Sequence, residues 1–329
     1  MVRPKIAGIG SFAPAKVLTN NDLEKMVETS DEWIVTRTGI SERRIAADDQ
    51  DNSDMCVEAA RGAFQMAGMT PADIDLILAG TVTPDFRLPS LACMIQKKLG
   101  AINAASMDIV AACAGFIHGL SVAQAYVKAG MYKRIMVFGS EKLSSITDYE
   151  DRNTCVLFGD ASGAAIVTES DDDSGILATY LKSDGTLDNL LYIPDGGTHA
   201  PCSHSNGDSR HRSNSCIRMN GNEVFKHAVR YMGDAAMRVI KEAGLTSDDV
   251  DLFVPHQANI RIIRATAERL KLPWEKVFLN IEKFGNTSAA SVPLALDQAI
   301  REGRIKKGDN IVTVAFGGGL TWGAALIRW

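Results

Sequence analysis

The strongest constraint on the fold of this chain is that it repeats itself. Residues 67–76 (AGMTPADIDL) return as residues 243–252 (AGLTSDDVDL), and 243 less 67 gives an offset of 176. The same shift carries the apolar run 135–138 onto 311–314, and both halves close with Gly-Ala-Ala and two aliphatics, at Gly163 and Gly323. Three matches in one order indicate an internal duplication. Helical and strand patterns alternate throughout, so the expected class is α/β. The halves are expected to be residues 1–172 and 173–329, meeting at the acidic turn 169–175.

The duplication also says where a site should lie. In open α/β sheets ligands collect beyond the carboxyl ends of strands. Cys113 shifts onto Ala289, inside 285–291 (GNTSAAS), and Gly80, just after a strand pattern, shifts onto His256. Cys113, His256 and Asn286 therefore share equivalent strand-end or helix-start positions.

Each residue has a bland reading beside the chemical one. Cys113, in 108–120 (DIVAACAGFIHGL), is either a small buried hydrophobe or a nucleophile at a helix start. Free N–H groups and the positive dipole end there lower a thiol's pKa and can bind an oxyanion. His256, in 252–260 (LFVPHQANI), is either a hydrogen-bonded structural histidine or an acid/base. Asn286 after Gly285 is either a helix cap or a polar group of the site. The glycines 317–319 mark a tight turn or a close approach to ligand, but no Lys-Ser/Thr follows to make a phosphate loop. Brought to one seam by the repeat, the four features point together to catalysis.

Composition narrows the field. A chain of 329 residues with 46% apolar and 23% charged residues suits a two-lobed globular body. The net charge of −5 argues against general nucleic-acid binding. No apolar run approaches the ~18 residues of a membrane span. The start runs directly into a strand pattern at Ile6–Ile9 with no secretory signal, and Cys56, Cys93, Cys113, Cys155, Cys202 and Cys216 are scattered, so a reducing cytoplasm is expected. Residues 195–215 are polar and glycine-rich and read as a surface loop. Cys202, His204, His211 and Cys216 there fit no metal spacing, and no metal is expected.

Seven motifs extend the reading: 31–40 (DEWIVTRTGI), 112–116 (ACAGF), 151–154 (DRNT) with 158–160 (FGD), 219–226 (MNGNEVFK), 255–259 (PHQAN), 285–293 (GNTSAASVP) and 316–319 (FGGG). With them the chain resembles, end to end, the β-ketoacyl-acyl carrier protein synthase III family of condensing enzymes. The resemblance implies a thiolase-like, five-layered α-β-α-β-α fold of two duplicated halves, usually a homodimer. It makes Cys113 the nucleophile, His256 and Asn286 its partners, and the N–H groups of Cys113 and Gly318 the oxyanion hole. The implied reaction acylates Cys113 from an acyl-CoA, acetyl-CoA foremost. Decarboxylative condensation with malonyl-acyl carrier protein then gives 3-oxoacyl-acyl carrier protein, CoA and CO₂, with no metal or redox cofactor.

Family positions for CoA match Trp33, Arg37, Arg152, Asn222, Phe225 and Asn259. Those for the acidic carrier protein match Lys226, Arg261, Arg264 and Arg269, with Glu268 where a further base would be expected. Leu88 stands at a position often phenylalanine that closes the acyl pocket across the dimer, so a longer or branched primer is expected to fit. The stretch 195–215 is longer than usual. Rivals within the fold fare worse. The last glycine loop lacks a thiolase cysteine, residues 80–84 lack the glutamate of hydroxymethylglutaryl-CoA synthases, and elongating synthases use two histidines. A sister ketosynthase of secondary metabolism stays open, while the intact triad disfavours a non-catalytic scaffold.

Overall fold

The computed structural model describes residues 2–200 and 215–329. In the first half, β1 (Pro4–Phe12) is followed by the paired short strands β2 (Lys16–Thr19) and β3 (Glu42–Ile45), then β4 (Leu76–Gly80), β5 (Ala105–Ile109), β6 (Arg134–Glu141) and β7 (Ala161–Glu169). The five longer-range strands form one sheet in the order β1-β7-β6-β4-β5. In the second half come β8 (Gly175–Ser183), the small pair β9 (Leu191–Tyr192) and β10 (Arg218–Met219), then β11 (Leu252–Pro255), β12 (Asn310–Gly317) and β13 (Thr321–Arg328). Their sheet runs β11-β12-β13-β8.

The two sheets repeat one plan. Read from the antiparallel edge, β8-β13-β12-β11 follows β1-β7-β6-β4, each ending in a parallel pair. The repeated decapeptide folds the same way twice. Thr70 with Asp73, and Thr246 with Asp249, build matching capping boxes on a short 3₁₀ turn before β4 and β11. Among the described residues, β5 is the strand of the first sheet without a full counterpart: the second half offers a single parallel bridge, Val277 to Phe253. β5 is therefore an open edge, carrying Met107 and leading to Val110, which is 81% exposed.

Strand alternation sorts the core into layers. Leu76, Leu78, Ile135 and Val137 point inward from the first sheet, and Leu252, Val254 and Ile311 inward from the second; they share one cluster with Phe116, Ile117, Val292 and Leu296. Those last four lie on α5 (Gly115–Lys128) and, after the connecting helices α1 (Asn20–Leu23), α2 (Asp31–Thr38) and α6 (Arg152–Cys155), on a helix of the second half. Ile77, Ala79, Met136 and Phe138 point outward against α3 (Asn52–Ala67) and α4 (Leu91–Leu99). Phe253, Val312 and Val314 point outward against α7 (Gly221–Glu242) and α8 (Ile260–Arg269). A short α9 (Ile281–Phe284) precedes the second central helix, α10 (Ser291–Arg301), which the 176-residue shift relates to α5. The result is the five-layered α-β-α-β-α arrangement that the resemblance implies.

Among the described residues no helix is long and apolar enough to cross a membrane. Of the cysteine–histidine group in the polar stretch, Cys202, His204 and His211 lie outside the described residues, and Cys216 is buried.

Glycine lets the layers touch at the seam. A Cβ on Gly80, at the end of β4, would lie 2.5 Å from the carbonyl carbon of Gly115, and one on Gly139 in β6 would lie 2.1 Å from the Ala289 oxygen. Gly139→Ala is accordingly expected to destabilise the protein by at least ~2 kcal/mol, since rigid backbone must move. Gly197→Ala, which meets nothing within 4 Å, should leave the thermal midpoint unchanged. Thermal denaturation of the two variants checks both.

Candidate active site

Cys113 sits in a 3₁₀ turn, Ala112–Ala114, between β5 and α5. Ala112 before it has φ 44, in the left-handed region, and Ser288, its equivalent under the shift, has φ 48. The duplication thus reproduces a strained turn as well as a sequence, and strained backbone of this kind gathers at functional sites. The turn buries the sulfur: Cys113 is 8% exposed. Here the structure corrects the expectation of a thiol lowered by a helix start. Burial pushes the Cys113 thiol up to about 12, the Glu141 carboxylate adds to the rise, and the Ser288 hydroxyl acts in the opposite sense. Cys113 therefore rests as a thiol, and nucleophilic use of it would call for a proton acceptor.

His256 borders the same cavity as the candidate acceptor. It follows β11, donates its backbone N–H to the Val314 carbonyl at 2.7 Å, and is 1% exposed. Burial pulls its imidazole down to about 3, so the ring is neutral near pH 7. Nδ1 is 2.6 Å from the Ser291 hydroxyl, which leaves Nε2 for the cavity. A hydroxyl can give or take that hydrogen bond, so either tautomer is tolerated and Nε2 can act as base or as donor.

Asn286 is fixed by backbone. Its N–H donates to Leu157 O at 2.8 Å and its carbonyl accepts from Gly159 N at 3.0 Å. The side-chain Oδ1 accepts the Ser288 N–H at 2.9 Å, which turns the amide NH₂ toward the cavity. The bland cap reading of Asn286 is thus half right: its oxygen does stabilise the turn, and its nitrogen remains available.

Cys113 lies where two cavities meet. One, of about 610 Å³, is largely apolar, lined by Val82, Leu143, Ile146, Phe158, Ile193 and Ile217. Gly318, Gly319 and Ser288 border it beside the sulfur, and a Cβ on Gly317 would come within 2.6 Å of the Cys113 nitrogen. The other, of about 640 Å³, runs outward past His256 and Asn286 to Arg37, Asn222, Phe225, Lys226, Asn259 and Arg261. Arg37 and Arg152 stack on Trp33, at 5.1 and 4.5 Å from the ring centroid. Asn259 donates to the Arg37 carbonyl at 2.9 Å and caps α8.

Five residues expected at the site line neither cavity: Trp33 and Arg152, which stack beside Arg37, and Arg264, Arg269 and Leu88. Arg264 stacks on Trp274 at 4.7 Å, and Arg269 pairs with Asp234 across Gly233. Both therefore lie away from the mouth that Lys226 and Arg261 border. Leu88 is 87% exposed and lines neither cavity of its own chain. Sequence reasoning missed Ser288, Ser291 and Glu141. The shift of Ala112 onto Ser288, and a lone acid closing the apolar strand 134–141, were the available signals.

Comparison with known proteins agrees with this geometry. Residues 107–185 match the family model for 3-oxoacyl-[acyl-carrier-protein (ACP)] synthase III, and residues 240–329 match its C-terminal model. The chain is 53% identical to the beta-ketoacyl-[acyl-carrier-protein] synthase III of Caldanaerobacter subterraneus subsp. tengcongensis over 324 residues, covering 98% of this chain and 97% of that one. It is 54% identical to the corresponding protein of Geobacillus kaustophilus, covering 98% of each. The crystal structure of 3-oxoacyl-[acyl-carrier-protein] synthase III from Aquifex aeolicus superposes with a TM-score of 0.91 at 49% identity, over 99% of this chain and 100% of that one.

The buried site should leave a mark on stability. His256 binds a proton in the unfolded chain but not in the fold between about pH 3 and 6.5, so it makes stability rise with pH across that window. Glu141, raised from 4.5 to about 7 by burial, holds a proton in the fold but not in the unfolded chain, so its contribution is lost as pH rises toward 7. The two oppose each other from about pH 4.5 to 6.5. Thermal midpoints across that range should climb more steeply with pH in Glu141→Gln than in the wild type, and less steeply in His256→Asn.

Proposed function

The chain belongs to the 3-oxoacyl-[acyl-carrier-protein] synthase III family, and from that premise we propose how its residues run the reaction. It is an acyltransferase of the initiating condensation in fatty-acid synthesis. The observation that supports the residue assignment is the position of Cys113, at the junction of an apolar cavity and a polar-mouthed tunnel that holds His256 and Asn286. An acyl group fits the first and a pantetheine arm the second.

In the first half-reaction the Cys113 thiol gives its proton to Nε2 of neutral His256 as the sulfur attacks the acyl-CoA carbonyl. The N–H groups of Cys113 and Gly318 hold the oxyanion. The bond from carbon to the CoA sulfur breaks, and the proton passes to the departing thiolate. Trp33, Arg37 and Arg152 bind the nucleotide end, with Asn222, Phe225 and Asn259 along the arm.

In the second half-reaction a malonyl thioester on the carrier protein occupies the same tunnel. Its bond to the carboxylate breaks, CO₂ leaves, and the electron pair moves toward the thioester oxygen. His256 Nε2–H and the Asn286 amide donate to that oxygen as two neutral groups, which is what a buried enolate requires. The carbanion attacks the acyl-cysteine, the carbon–Sγ bond breaks, and the sulfur takes up a proton. No metal or redox cofactor enters these steps. Lys226 and Arg261 are assigned to the carrier protein, and Arg264 and Arg269 to its outer contacts.

We further assign a homodimer working in the cytoplasm. Phe86, Leu88, Met107 and Val110 are exposed and apolar around the open edge of β5, which favours a second copy there. Leu88 would then close the partner's acyl cavity rather than its own.

Three results are expected. Incubation with acetyl-CoA should add one acetyl group to the Cys113 peptide by mass spectrometry, and malonyl-acyl carrier protein should then release CO₂. Asn286→Asp should acylate within a few-fold of wild type yet condense ~10²-fold or more slower, since only the enolate loses its donor. Equal loss in both steps would count against the enolate role. In a chain-length series of acyl-CoA primers, the wild type should accept four-carbon or branched groups and Leu88→Phe should narrow toward acetyl; strict acetyl preference in the wild type would refute the Leu88 assignment.

A further inference from the structure

Glu141 is a buried carboxyl that the reaction above does not use. It closes β6 and is wholly buried. Oε2 accepts from Thr83 Oγ1 at 2.5 Å and Thr81 Oγ1 at 3.1 Å, the Val82 amide reaches both oxygens at 3.1 and 3.3 Å, and Oε1 accepts from Ser288 Oγ at 3.2 Å. No ion pair reaches it among the described residues; the neighbouring Lys142 turns its ammonium to the carbonyls of Ala47 and Gln50. Its surroundings are thus hydroxyls and an amide, and Cys113 is the titratable group facing it from the nucleophile turn.

Ser288 stands between the two. It borders the cavity beside Cys113, and its left-handed backbone is held by the bond from its N–H to Asn286 Oδ1. A residue with a Cβ rarely adopts that conformation, and here it sets the hydroxyl on the Glu141 carboxylate while bordering the cavity beside the sulfur. A hydroxyl has one proton to give. While Glu141 is ionised the proton goes to the carboxylate, and the oxygen lone pairs are left for the sulfur. A hydroxyl proton turned to the sulfur would ease its ionisation; committed to Glu141, it cannot.

We propose that Glu141 is a positioning residue for the nucleophile: by capturing the Ser288 hydroxyl it holds Cys113 as a thiol until an acyl thioester and His256 draw the proton away. This deepens the assignment of Cys113 as nucleophile and rests on it. No proton passes between Glu141 and Ser288; the proton of Cys113 leaves only to His256. A consequence is a sulfur guarded against stray electrophiles in the resting enzyme.

Alkylation of Cys113 by iodoacetamide, followed on its peptide by mass spectrometry from pH 7.5 to 10, reads the sulfur without turnover. Glu141→Gln removes the charge and lets an amide donate to Ser288, freeing the hydroxyl for the thiolate. Alkylation at pH 8 should be at least ~10-fold faster than in wild type, one unit of thiol acidity. Ser288→Ala alone should alkylate within about threefold of wild type, because its hydroxyl is already committed, and in the Glu141→Gln background it should remove most of the gain. Glu141→Gln no faster than wild type, or Ser288→Ala more than threefold slower, would overturn the proposal. Should Glu141→Gln lack a cooperative melt, Ser288→Ala decides alone by the same threshold. Acetyl transfer to wild-type Cys113, run in parallel, separates this outcome from the assignment of the nucleophile itself.

Discussion

Backbone touching backbone at the seam is the constraint on which the rest of this protein depends. Gly80 lies against Gly115 and Gly139 against Ala289, contacts too close for any side chain. They allow the ends of β4 and β6 to meet the starts of both central helices at one point. The turn carrying Cys113, the turn carrying Ser288 and the strand end carrying His256 all open there. A methyl group in that contact would separate the lobes and take the sulfur away from its partners.

The same closeness removes water, and dehydration sets the chemistry. Burial favours the uncharged form of Cys113 and of His256, moving one up and the other down. A thiol beside a neutral imidazole is thus the resting state, in place of a preformed ion pair. Neutral groups at His256 and Asn286 suit the enolate of the proposed condensation, since neither brings a charge to desolvate. Glu141 shows what it takes to keep a lone carboxyl in such a place: four separate donors surround it. That satisfaction is what lets it sit within reach of the nucleophile.

Several features of the fold were legible because they are periodic. The alternation in 135–138 and 311–314 gave strands, and the paired decapeptides gave identical capped turns at Thr70 and Thr246. The 176-residue shift puts Cys113, Asn286 and His256 at equivalent element ends. What it could not give was direction: whether Asn286 spends its oxygen or its nitrogen on the turn depends on the Ser288 N–H, a bond made by folded backbone. Where Arg264 and Arg269 lie relative to the tunnel was illegible for a related reason. One helix carries Arg261, Arg264 and Arg269, but only its first turn borders the tunnel, while Trp274 and Asp234 hold the other two.

By itself the sequence determined the duplicated α/β plan, the strand-end location of the site and the identities of its sulfur, imidazole and carboxamide, because these follow from repeat, periodicity and residue type. Only the tertiary structure decided their protonation, the orientation of the amide and the presence of Glu141 and Ser288 behind the nucleophile. Those properties arise from burial and from hydrogen bonds that exist only in the folded backbone, from the local bond of Ser288 to Asn286 to the bond of Ser288 to Glu141 across the two halves, and residue type and periodicity carry no record of either.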